Sequence, residues 1–74
     1  MTIRTKNSTY IVTAYSDHFL VEKIAESVSN PNGINIGWAM KCKYIIMDLD
    51  GGAFFGETFY QGIHTTDVLE VTND

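Results

Sequence analysis

Cys42 is the first candidate for chemistry, because it lies between Lys41 and Lys43. Nearby cations favour the thiolate, which is the nucleophilic form of cysteine. Nucleophilic catalysis also needs a positioned base, and neither histidine, His18 or His64, has a sequence relation to this cysteine. We therefore predict that Cys42 is a small apolar residue on a strand and not a nucleophile.

Two carboxylates, Asp48 and Asp50, come directly before Gly51 and Gly52 and look superficially like part of a calcium loop. The EF-hand pattern requires a third oxygen ligand before its glycine and a bidentate acid at the twelfth position, where this chain has Phe59. No cluster of cysteine and histidine is present to hold zinc. The sequence therefore predicts no metal site, no cofactor and no enzymatic activity.

The stretch 42–60 predicts a β-hairpin, with arms at 42–49 and 53–60. The turn between the arms is Asp50-Gly51-Gly52, and an Asp-Gly pair between β-rich runs is a strong hairpin signal. Side chains on a strand alternate between its two faces. Here both faces are apolar, with Ile45, Met47, Leu49, Phe55 and Phe59 on one and Tyr44, Ile46, Phe54 and Tyr60 on the other.

Residues 17–29 predict one amphipathic helix, capped by Ser16 or Asp17 and ended by Pro31. At 100° per residue, one apolar stripe contains Leu20, Val21, Ile24, Ala25 and Val28. Phe19 falls nearly opposite that stripe. It either packs against the chain entering the helix or forms an exposed aromatic anchor for a partner.

The remaining segments read as strands at 8–15 and 67–72, with a possible short strand at 34–36. In the first of these, Tyr10, Val12 and Ala14 are the predicted inward set. Trp38 is a core lid or an interface residue. We predict one domain over 1–74, with an N-terminal arm at 1–7, a connector at 63–66 and a tail at 73–74. The fold class expected is α+β: an antiparallel sheet of about three to five strands with one helix on one face, in the order β-α-(β)-β-β-β.

Composition indicates a folded, cytoplasmic protein that gains stability by association. Of the 74 residues, 45% are hydrophobic, so a core is available, but so short a chain is marginal alone. The single cysteine excludes an intramolecular disulfide and favours a reducing compartment. The N-terminus lacks the apolar run of a signal peptide, and no run approaches the length of a membrane span.

Charge is distributed unevenly along the chain, whose net charge is −4. All basic residues precede residue 44, whereas residues 44–74 carry only acidic ones: Asp48, Asp50, Glu57, Asp67, Glu70 and Asp74. Such a half disfavours phosphate and attracts a basic surface. The alternative is a solvated acidic surface that serves solubility alone.

An apolar second hairpin face beside acidic groups predicts a protein-interaction module that binds a basic, nucleic-acid-handling partner. The predicted partner-binding residues are Phe19, Asp48, Asp50, Phe54, Phe55, Glu57, Phe59 and Tyr60. In size, acidity and lack of enzymatic motifs the chain resembles small phage-encoded anti-CRISPR inhibitors. That resemblance implies steric or DNA-mimic inhibition of a nucleoprotein complex in the host cytoplasm. The alternatives are a homo-oligomer that buries the same face, and a sheet that stacks nucleic-acid bases, which lacks the expected basic residues.

Overall fold

The computed structural model describes residues 1–26, 36–47, 51–58 and 60–73, and these form an all-β chain. Its strands are β1 (Thr2–Thr5), β2 (Ser8–Ala14), β3 (Phe19–Glu26), β4 (Ala39–Cys42), β5 (Tyr44–Met47), β6 (Gly52–Gly56) and β7 (Gly62–Thr72). Within these ranges no residue is helical. The predicted α+β class is therefore wrong, because strand β3 occupies most of the segment that we expected to be a helix.

All seven strands pair antiparallel in one sheet, in the order β4-β3-β2-β1-β7-β6-β5. A flat sheet would be a single layer about 10 Å thick, whereas the molecule measures 33 × 24 × 23 Å. The ring centroids of Tyr10 on β2 and Phe55 on β6 lie 5.3 Å apart, although β1 and β7 separate these strands. The sheet is therefore strongly curled, and its concave face closes on itself.

The two end strands of the sheet, β4 and β5, are consecutive in sequence and separated only by Lys43. The Lys43 N–H donates to the Gly56 carbonyl oxygen at 3.0 Å, which ties the connecting residue to β6. One bent run of chain thus pairs with β3 at one end of the sheet and with β6 at the other. This connection draws the two ends of the sheet together.

The core fills the inside of the curl. Its buried members are Ile3, Tyr10, Val12, Val21, Cys42, Ala53 and Phe55. The predicted inward positions Tyr10 and Val12 are confirmed, but Ala14 is exposed. Trp38 and Phe19 are half-buried and pack against this cluster. Strands β5 and β7 add the half-buried Ile45, Ile63 and Val68, so all seven strands contribute and the core exists only when the sheet has curled.

The predicted helix at 17–29 is wrong, because residues 19–26 form a strand that divides the apolar stripe between its two faces. In β3, Val21 points into the core and is fully buried, whereas Glu22 on the opposite face is exposed. Ile24, which the helix would have buried, is 45% exposed. Pairing with β2 on one side and β4 on the other satisfies the backbone and overrides the local helical pattern. Residues 27–29 lie outside the described residues.

The hairpin prediction is confirmed in its pairing and in the faces of the residues that pair, but Tyr60 lies beyond β6 and belongs to neither face. β5 pairs with β6, with Ile45 opposite Phe55 and Ile46 opposite Phe54. The second arm is shorter than predicted and ends at Gly56. The first arm also begins later, because Cys42 belongs to β4 and pairs with Phe19. Of the predicted turn, 50–52, Gly52 is instead the first residue of β6. Residues 48–50 lie outside the described residues.

The two chain ends are more ordered than the sequence predicts. The supposed arm at 1–7 contains β1, which lies at the centre of the sheet and buries Ile3 completely. The supposed connector at 63–66 is part of β7, which is 11 residues long. The predicted last strand at 67–72 is thus its second half. Of the possible strand at 34–36, only Ile36 is described, and it lies in a turn.

Candidate functional site

A cavity of about 340 Å³ lies where the two ends of the sheet meet. Three separate segments form its walls: the turn between β2 and β3, the β4–β5 connection, and the residues that follow β6. We call it the junction cavity, and its lining residues are His18, Lys41, Cys42, Lys43, Glu57 and Thr58. The cavity is a product of the curl, because these residues approach one another only when β4 and β5 close the sheet.

His18 is held in place on one wall by two neighbours. Its Nδ1 lies 2.6 Å from the Asp17 carboxylate, and its ring stacks on Tyr15 with centroids 4.8 Å apart. The hydrogen bond from His18, and next its charge, lower the pKa of the exposed Asp17 carboxyl, and the charge of Lys41 adds to this effect. Since Nδ1 is engaged by Asp17, Nε2 is the ring nitrogen that remains for another partner.

Cys42 contributes the floor of the cavity and is 1% exposed. Burial raises the pKa of its thiol, which opposes the activation that the flanking lysines suggest. Lys41 and Lys43, which line the same cavity, are exposed. The prediction that Cys42 packs as a small apolar residue on a strand is confirmed.

The outer face of the β5–β6–β7 region is the second apolar face that the hairpin predicts. Ile46 and Phe54 are opposite each other in register, and Phe54 is also opposite His64 on β7. The Phe54 ring lies over Gly56 and against His64, with ring centroids 4.9 Å apart, so it is only 8% exposed. The Phe54 ring is therefore buried by packing on Gly56 and His64 of its own sheet, without a second layer of structure.

The structure divides the predicted partner-binding residues into surface and interior. Tyr60 is 95% exposed and Glu57 is exposed. Phe55 is fully buried in the core and contributes no area to a surface, and Phe54 contributes little. Phe19 is half-buried beneath the β3–β4 pairing. Asp48, Asp50 and Phe59 lie outside the described residues.

Sequence reasoning missed that His18 and Cys42 line the same cavity. The register places Phe19 opposite Cys42, so His18 is the next residue beyond that pair. The pairing joins positions more than twenty residues apart, through a segment that looked helical. No local pattern reports such a contact. A strand assignment for 19–26 was the one signal that could have found it.

Two ion pairs in the described part of the chain differ in their exposure to solvent. Arg4 and Glu70 approach to 3.8 Å on adjacent strands, with half or more of each side chain exposed, so their contribution to stability is small. Lys23 and Glu26 form a Lys–carboxylate pair that is largely buried. Among the described residues, no group of three His, Cys, Asp or Glu side chains is placed to hold a metal ion.

No helix in the described ranges has the length and apolar character of a membrane span. Comparison of the chain with family models, with curated proteins and with solved structures gives no match.

Proposed function

We propose that this protein is a small, non-enzymatic interaction module that inhibits or modulates a basic, nucleic-acid-handling protein in the cytoplasm. The observation that carries the proposal is the apolar outer surface of strand β5. Ile46 keeps 46% of its area exposed there, beside the buried Phe54 ring and opposite it in register. Exposed apolar residues on a rigid sheet supply binding energy when a partner excludes water from them.

Strand β5 is also an end strand of the sheet, and in the described part of the chain it pairs on one side only, with β6. The outer edge of such a strand presents backbone N–H and C=O groups to an incoming strand. A partner that adds a strand there would contact Ile46 and Met47, both of which are exposed. Tyr60 is a second exposed anchor, in the turn between β6 and β7.

The charge of the chain supports a basic partner. The net charge is −4, and Glu57, Asp67 and Glu70 are exposed in the half that lacks basic residues. Long-range attraction of this sign accelerates encounter with a positive surface more than it strengthens the final complex. The single, buried, free cysteine supports a reducing compartment.

The test compares the proteins captured from a host-cell lysate by the wild type, by Ile46→Ser and by a control variant, Leu69→Ser. Leu69 on β7 is 57% exposed, so the control removes a similar apolar area elsewhere. We expect a basic, nucleic-acid-handling protein to bind the wild type and Leu69→Ser, and to be lost or weakened at least about tenfold with Ile46→Ser. Capture that is equal for all three chains, or that yields no such protein, would contradict the proposal.

A homodimer is the second candidate, and the open edge of β5 favours it, because two copies can pair their β5 strands antiparallel. Sedimentation across micromolar concentrations distinguishes the two, since a dimer that Ile46→Ser dissociates supports self-association. A base-stacking sheet is less well supported, because the Phe54 and Phe55 rings are buried.

A further inference from the structure

We propose that the junction cavity binds a small organic anion, a ligand that carries a carboxylate or phosphate group. The cavity gathers Lys41 and Lys43 at one place on a chain whose net charge is −4. Its lining is therefore less negative than the chain as a whole. Its volume of about 340 Å³ is at the small end of the range for ligand pockets, about 300–1,000 Å³.

The two lysines are available to a ligand. Lys41 and Lys43 are both exposed, and neither forms an ion pair with another described residue. They flank Cys42 in the chain and both line the cavity, so their like charges repel each other. An anion seated between them removes that repulsion and accepts a charge-assisted hydrogen bond from each.

One further donor, Thr58, and one acceptor, His18, line the same cavity. The Thr58 hydroxyl oxygen accepts the backbone N–H groups of Tyr60 at 3.2 Å and Gln61 at 2.9 Å. Both bonds use its lone pairs, so its hydrogen remains to be donated to an acceptor. His18 is engaged by Asp17 through Nδ1, and Nε2 of the neutral ring is an acceptor for a hydroxyl or amino group of the ligand. A donor and an acceptor fixed in this way lose little freedom when a ligand binds.

Glu57 is the acidic member of the cavity lining, and it narrows the class of ligand. A carboxylate opposite the lysines disfavours a highly charged polyanion and favours a ligand with a hydroxyl or amino group at its other end. With two lysines and one glutamate, the lining carries a formal charge of +1 when His18 is neutral. The ligand class is therefore a small hydroxy acid, amino acid or phosphate ester, and not a nucleic-acid strand.

The test is a titration of the isotopically labelled full chain with inorganic phosphate and, separately, with acetate, followed by amide chemical shifts at constant ionic strength. We expect saturable chemical-shift changes at residues 41–43 and 57–58 with one or both anions. The anion that binds more tightly shows whether the ligand group is a phosphate or a carboxylate. Lys41→Gln and Lys43→Gln should each weaken binding about three- to tenfold. Lys6→Gln removes the same charge at the opposite end of β2 and should leave the affinity unchanged.

Both lysine variants alter exposed side chains, so the amide spectrum should show that the fold is kept. Non-saturating shifts with both anions would overturn the proposal. It would also be overturned if Lys6→Gln weakened binding as much as Lys41→Gln and Lys43→Gln, because net charge alone would then explain the effect. Binding that survives both cavity variants would place the anion elsewhere and overturn it as well.

Discussion

Lys23 and Glu26 form an ion pair inside the curl of the sheet, with 2.7 Å between Nζ and a carboxylate oxygen and Lys23 only 4% exposed. Residues three apart on a regular strand point to opposite faces. Here the register shifts between Thr9 and Tyr10, so that Tyr10 is opposite Lys23 and Thr9 is opposite Ala25. Ile24 is the extra residue of this bulge, and it brings Glu26 onto the face of Lys23.

We expect Glu26→Gln to lower the free energy of unfolding by about 2–4 kcal/mol, because it removes the carboxylate partner of a buried ammonium. Glu22→Gln is the matched control, since Glu22 is exposed on the outer face of the same strand, and it should cost less than about 0.5 kcal/mol. Urea unfolding monitored by circular dichroism measures both. Equal costs for the two variants would show that the pair contributes little.

The same bulge lies in the segment for which the sequence predicts a helix. Val21, Ile24 and Ala25 are spaced as a helical stripe, but in the bulged strand Val21 is buried, whereas Ile24 and Ala25 are exposed. A helix and a bulged strand are thus two alternatives for the same residues. Nothing local distinguishes the two, and only pairing with β2 and β4 decides between them.

Local signals did predict the hairpin and its faces. Alternation placed Ile45 with Phe55 and Ile46 with Phe54, and the register agrees. What local signals could not predict is closure, which joins segments far apart in the chain. The junction cavity depends on closure throughout, so its lysines were visible in the sequence only as neighbours of Cys42, and His18 only as an isolated histidine.

Gly62 is predicted to be intolerant of any side chain. A Cβ there would press on the Phe55 carbonyl oxygen and lie 2.6 Å from the Gly56 Cα and 2.8 Å from the Phe54 ring. We expect Gly62→Ala to lower the free energy of unfolding by about 2–3 kcal/mol, because backbone and ring must both move. Denaturant unfolding provides the measurement.

Gly37→Ala separates crowding from backbone strain. Gly37 has a φ of +93°, and nothing lies within 4 Å of the position that a Cβ would occupy, so its substitution is costly for conformational reasons only. We expect a loss of about 1 kcal/mol. If Gly37→Ala were as damaging as Gly62→Ala, the crowding of Phe54 over the glycines would not be the cause.

Asp17 should titrate below its ordinary pKa of 3.8, because it holds a hydrogen bond from His18. A carboxyl group whose pKa is lower in the folded state stabilises the fold at pH values above its unfolded-state pKa. That stabilisation is lost as the pH falls through the folded-state pKa. The carboxyl carbon chemical shift of Asp17, recorded from about pH 2 to about pH 6 so that the transition is bracketed, measures this pKa directly. In His18→Gln the midpoint should rise, and a midpoint that does not move would assign the effect to another group.

Cys42 should resist alkylation in the native protein, because it is 1% exposed and burial raises its pKa above the ordinary value of 9.0. Iodoacetamide at about pH 8 should label the urea-unfolded chain at least about a hundredfold faster than the folded chain, since only the exposed thiolate reacts. Cys42→Ser should cost about 1–3 kcal/mol of unfolding free energy, because it places a hydroxyl in the apolar core. Rapid labelling of the folded protein would instead mean that Lys41 and Lys43 activate the thiol.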